Sequence, residues 1–71
     1  MNEIFENDEI LVLNDDFHEK LIVLQKENKT YFEYDYSWSR EYEDEAEGFY
    51  IELDKHNVSK ETIEEFKEEN E

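Results

Sequence analysis

The chain has 71 residues, with 23 Asp and Glu against 7 Lys and Arg, for a formal charge of −16, and it contains no cysteine, no proline and one glycine. That length holds one small domain with a thin core, the missing thiols exclude disulfides and thiolate metal sites, and the charge opposes direct contact with a nucleic-acid duplex, which carries one negative charge per about 1.7 Å. High charge alone would favour disorder, but 37% of the residues are hydrophobic and 15% aromatic. They fall in periodic blocks, and burying each large apolar side chain contributes roughly 1.5–3 kcal/mol against the chain entropy, so a single folded domain over residues 1–71 is expected.

Residues 1–8 lack the basic and apolar regions of a signal peptide, and no apolar run reaches membrane-spanning length. A cytoplasmic protein without a membrane partner is therefore expected. Residues 9–13, Glu-Ile-Leu-Val-Leu, predict a first strand closed by Asn14, Asp15 and Asp16, residues that favour turns through local side-chain hydrogen bonds. A second strand is predicted over residues 20–26. After Glu27, Asn28 and Lys29, a third follows over residues 30–36, where Phe32, Tyr34 and Tyr36 share the core face and Tyr31, Glu33 and Asp35 the other.

Residues 37–48 form an acidic excursion too long for a tight turn, with Trp38 and Tyr42 as its large anchors. Residues 49–53 then alternate again, which predicts a fourth strand with Phe49, Ile51 and Leu53 inward and Tyr50 and Glu52 outward. Ser59 is a candidate N-cap for a C-terminal helix, with Glu61 in its first turn, docking through Val58, Ile63 and Phe66, while residues 68–71 fray. The expected fold is α+β: a four-stranded antiparallel meander with one C-terminal helix packed on it.

Carboxylates crowded on a solvated face lack the separated environments that set a general acid apart from a general base, so no catalytic residue is assigned. His18 and His56 are isolated from each other and read as surface residues, with no metal-ligand spacing. Glu43, Glu45 and Glu47 before Gly48 lack the ligand order of a calcium loop. Ser37, Ser39 and Ser59 have no glycine-rich elbow, and a single glycine excludes a phosphate-cradling loop. No cofactor is implied, and the chain reads as a binding protein and not an enzyme.

The densest acid lies beside large aromatics: Glu41, Glu43, Asp44, Glu45 and Glu47 among Trp38, Tyr42 and Tyr50. Carboxylates accept bidentate hydrogen bonds from Arg and speed association with a basic cleft, while aromatics anchor at low entropy cost. The expected partner is a nucleic-acid-binding protein with an Arg- and Lys-rich cleft, which a carboxylate array would fill in place of phosphates. Exposed aromatics could also bury a homodimer contact, although the charge opposes it, so the oligomeric state stays open.

The stretch from Trp38 to Tyr50 resembles the acidic segment of small phage-encoded DNA-mimic anti-CRISPR inhibitors of Cas9, which reads Trp, two residues, Glu-Tyr-Glu-Asp-Glu and then Phe-Tyr. Here the pattern is Trp38-Ser39-Arg40-Glu41-Tyr42-Glu43-Asp44-Glu45, with Gly48 interrupting before Phe49-Tyr50. The resemblance implies occupation of the site where arginines read the PAM duplex, with Asp44 and Glu45 meeting those arginines and Tyr42 packing beside them. Those inhibitors place the segment between helices, whereas here it is expected to join two strands. An immunity protein or antitoxin plugging a basic nuclease toxin accounts for the same residues, and gene neighbourhood separates the two. A salt-adapted domain with no single partner is the third reading; it predicts that neutralising Glu43, Asp44 and Glu45 alters only solubility.

Overall fold

The computed structural model describes residues 1–36 and 45–70. The elements run β1 (Asn2–Glu6), β2 (Ile10–Asp15), β3 (Lys20–Gln25), β4 (Thr30–Asp35), α1 (Glu45–Lys55) and α2 (Lys60–Asn70). The four strands form one antiparallel sheet in the order β1-β2-β3-β4. The expected four-stranded α+β meander and C-terminal helix are present, but one strand comes from other residues than expected, and a second helix stands where the fourth strand was expected.

The fourth strand is β1 and not residues 49–53. Ile4 and Phe5 are adjacent apolar residues between Glu3 and Glu6, so the segment shows no period-two signal. A bulge explains the mismatch. Glu3 pairs with Leu13 and Phe5 with Val12, leaving Ile4 as the extra residue; Phe5 is buried and Ile4 packs at the edge of the core.

Residues 49–53 lie instead in α1. Phe49 and Leu53 are one helical turn apart and buried, at 2% and 0% exposure, while Ile51, on the opposite side of the helix, is 55% exposed. Alternation and helical spacing share the 49/53 pair, and Ile51, exposed, and Tyr50, packed against the core, tell them apart. The helix closes with Asn57 in the left-handed region, φ 64°. The Val58 amide donates to Leu53 O at 3.0 Å and the Asn57 amide to Asp54 O at 3.0 Å, the paired bonds of a Schellman ending, with Val58 and Leu53 as its buried contact. Two residues later Ser59 caps α2, its Oγ accepting from the Thr62 amide at 3.3 Å.

The two helices cover one face of the sheet. Phe5, Ile10, Val12, Val23 and Phe32 supply the sheet side of the core and Phe49, Leu53, Val58, Ile63 and Phe66 the helix side. The Phe66 ring sits 5.4 Å from Phe5 and 5.2 Å from Phe49, centroid to centroid, so one aromatic joins both helices to β1. His56 stacks flat on Phe32 at 3.8 Å, and Gln25 Nε2 donates to His56 O at 2.9 Å. These contacts fix the end of α1 against β3 and β4.

Register defines the opposite face. Leu11 faces Leu24 and Leu13 faces Ile22 across β2 and β3. The same rows continue to Glu6 and Glu3 on β1 and to Tyr31 and Glu33 on β4. Among the described residues, no element packs on this side.

Candidate partner-binding surface

The acidic excursion has two described roots. At the end of β4, Tyr36 donates from its hydroxyl to Asn14 Oδ1 at 3.1 Å and from its amide to Glu19 O at 3.1 Å, which ties the exit to the β2–β3 hairpin. The other root is α1, seated by Phe49 and Leu53 in the core. Of the residues singled out in the sequence, Trp38, Glu41, Tyr42, Glu43 and Asp44 lie outside the described residues. Glu45 opens α1 and Glu47 is exposed in its first turn. The segment therefore leads into a helix and not into a strand.

Tyr50 sits differently from the outward strand position expected. It is partly buried against the core, 6.1 Å edge-on to Phe66, and Lys67 Nζ lies 4.9 Å from its ring centroid. It braces α1 against α2 through aromatic and cation–π contacts. Gly48 has a steric reason: a Cβ there would collide with the Tyr34 hydroxyl. The residue that interrupts the Trp38–Tyr50 pattern is the one that lets β4 approach α1.

The helices display further carboxylates: those of α2 lie on the expected C-terminal helix, and only those of α1 are misplaced by a strand reading of residues 49–53. Glu47 and Asp54 on α1 or its first turn, and Glu61, Glu64, Glu65, Glu68 and Glu69 on α2, are all exposed. Lys67 lies 3.7 Å from Glu64 and Lys55 4.0 Å from Glu52. Exposed pairs of this kind neutralise charge locally and add little stability. Carboxylates exceed Lys and Arg by 16 in the whole chain, so pairing leaves most of the field intact.

A polar joint positions α2. Glu9 accepts from the Ser59 amide at 2.9 Å, the Ser59 hydroxyl at 2.6 Å and the Thr62 hydroxyl at 2.6 Å. Burial alone would raise the Glu9 pKa; the hydrogen bonds from Ser59 and Thr62 outweigh it and hold the carboxylate below its ordinary value. Asn7 accepts from the Glu9 and Ile10 amides at 2.8 and 2.9 Å, forming the β1–β2 turn, and donates to Thr62 Oγ1 at 3.0 Å and Glu65 Oε2 at 3.3 Å. The Asn7 side chain thus builds a hairpin and helps seat a helix that Glu9 also holds.

The β2–β3 turn carries a feature that alternation patterns do not register. Phe17 is 88% exposed and meets His18 edge-on at 4.9 Å, while His18 Nδ1 lies 2.8 Å from Asp15. The hydrogen bond from His18 lowers the Asp15 pKa, against a smaller opposing effect of burial. His18 and His56 are both exposed, as expected, although His56 also stacks on the core.

Among the described residues, no cluster of three or more His, Cys, Asp and Glu is arranged to hold a metal ion, and no helix is long and apolar enough to cross a membrane. No family model, curated protein or solved structure matches the chain.

Proposed function

We propose that this protein is a non-enzymatic acidic inhibitor that occupies the basic nucleic-acid-binding cleft of a host or defence protein in the cytoplasm, acting as a DNA mimic. The observation that carries the reading is a fixed excess of carboxylates. The whole chain carries a charge of −16, and its two helices, whose apolar sides are spent on the sheet, leave exposed acids outward. Such a surface accepts hydrogen bonds from Arg and Lys where phosphates would otherwise sit.

The continuation of the acidic segment into α1 adds support for the Cas9-directed form of this reading. The resembled inhibitors place their segment between helices, and here it is followed by one. Under that form Asp44 and Glu45 meet the PAM-reading arginines and Tyr42 packs beside them. Trp38, Glu41, Glu43 and Glu47 complete the contact.

The test is capture from a bacterial lysate with the intact chain and with Glu43→Gln, Asp44→Asn and Glu45→Gln combined. The intact chain should retain a nucleic-acid-binding protein. The triple variant should bind it far more weakly, since truncating charged hot spots commonly costs about 2 kcal/mol or more each. Equal binding by the variant would remove this segment from the contact.

A further inference from the structure

The central strands are apolar on both sides. In β2, Ile10 and Val12 fill the core while Leu11 and Leu13 face away; in β3, Val23 faces the core while Ile22 and Leu24 face away. Strands with one solvated side alternate apolar with polar residues, whereas apolar residues on both sides are typical of strands covered on both. The outward Leu11–Leu24 and Leu13–Ile22 pairs form a two-by-two aliphatic array, and among the described residues nothing packs on it.

Charge flanks the array on both sheet edges. Glu3 and Glu6 lie on the β1 side and Glu33 on the β4 side. Two lysines reach this face, and each meets a carboxylate: Lys20 Nζ to Glu33 at 3.1 Å and Lys26 Nζ to Glu6 at 2.6 Å. With Asp15 and Asp35 in the adjoining row, the face keeps an acidic excess of the same sign as the whole molecule.

We propose that this face docks a cationic amphipathic helix of another protein, one whose aliphatic ridge covers Leu11, Leu13, Ile22 and Leu24 while Lys or Arg on its flanks reach Glu3, Glu6 and Glu33. Size favours a single helix. Four strands span about 14 Å between edges and six residues about 20 Å along them, enough for one helix about 10 Å across. That footprint of about 300 Å² is well short of the roughly 800 Å² per partner of a stable protein–protein interface, so it suits a lone helix better than a second copy. A second copy would also bring a charge of −16 against its equal. The proposal does not rest on the function assigned to the acidic segment.

The test uses the full 15N-labelled chain at physiological ionic strength and three synthetic helical peptides. One carries Leu along one face with Lys on both flanks, one has Glu in place of Lys, and one is a scramble of the Leu and Lys peptide. The first should bind saturably, with amide shifts centred on Leu11, Leu13, Ile22 and Leu24, and at least tenfold more tightly than the other two. Leu13→Thr with Leu24→Thr should weaken it at least tenfold. Glu3→Gln, at an exposed position, should weaken it several-fold and guards against a folding defect in the double variant. Equal binding of the scramble, or shifts centred on α1 and α2, would overturn the proposal. So would a dimer in sedimentation that Ile22→Glu abolishes, since that would give the face to a second copy.

Discussion

Glu9 supplies an anionic cap to α2 from a different part of the chain, where helices more often rely on their own N-cap residue. Its folded pKa lies below the 4.5 of an unperturbed glutamate, so its stabilisation is complete above about pH 4.5 and is lost as the pH falls through the lower folded value. Glu9→Gln should cost about 1 kcal/mol at neutral pH, a figure reduced for the solvent exposure of the group. The difference between the wild type and Glu9→Gln should shrink below about pH 4.5. Parallel urea titrations across that range check the sign independently of the general relief of repulsion on acidification. Asn7→Ala should cost more, about 2 kcal/mol, because it removes both the turn's acceptor and a donor to buried Thr62.

Gly48 and Tyr34 form a second coupled pair. Glycine in a helix interior costs about 1 kcal/mol relative to alanine, yet a Cβ at position 48 would strike the Tyr34 hydroxyl, with the ring carbon that bears it 3.4 Å away. Gly48→Ala should therefore destabilise the wild type. In a Tyr34→Phe background the same change meets only ordinary contact and should stabilise. A double-mutant cycle reads this reversal as a coupling energy, and strict additivity would rule out the steric account.

The junction between α1 and α2 rests on two adjacent devices, the left-handed Asn57 and the capping Ser59. Ser59→Ala should cost about 1 kcal/mol or more, since it removes a cap and a donor to Glu9. Asn57→Gly should be neutral or slightly stabilising, whereas Asn57→Val should cost at least about 1 kcal/mol through its branched side chain at positive φ. Thermal melts of the three variants test the ranking.

This junction also shows what was legible in the sequence. The β2–β3 and β3–β4 hairpins, the Phe32 face and the Ser59 cap follow from local patterns that tertiary packing reinforces. Residues 49–53 misled because Phe49 and Leu53 satisfy both periods. The stop signal at Asn57, just before a capping Ser59, was the cue for a helix on each side. β1 left no periodic signal because its bulge breaks alternation. Glu9 and Asn7 were silent because their partners on α2 and its cap lie fifty or more residues away, a separation that local spacing cannot encode. The acidic identity of Glu47 was readable, but its place on a helix was not.

Self-repulsion acts on the molecule as a whole. With a charge of −16 on 71 residues, screening should stabilise the fold, because the Debye length falls to about 8 Å at physiological ionic strength. The melting temperature should rise as sodium chloride is raised from low to physiological concentration. A fall would mean that the local ion pairs at Lys20 and Lys26 outweigh the net repulsion. Under the proposed function the same field would speed association with a basic partner.

Competition with DNA tests the mimicry most directly. The captured partner is held at fixed concentration with the labelled chain and titrated with the duplex it binds. Mutually exclusive binding, with the chain displaced in full as the duplex saturates its own site, is the result the proposal predicts. A ternary complex in which DNA and the chain bind together without loss of affinity would contradict it.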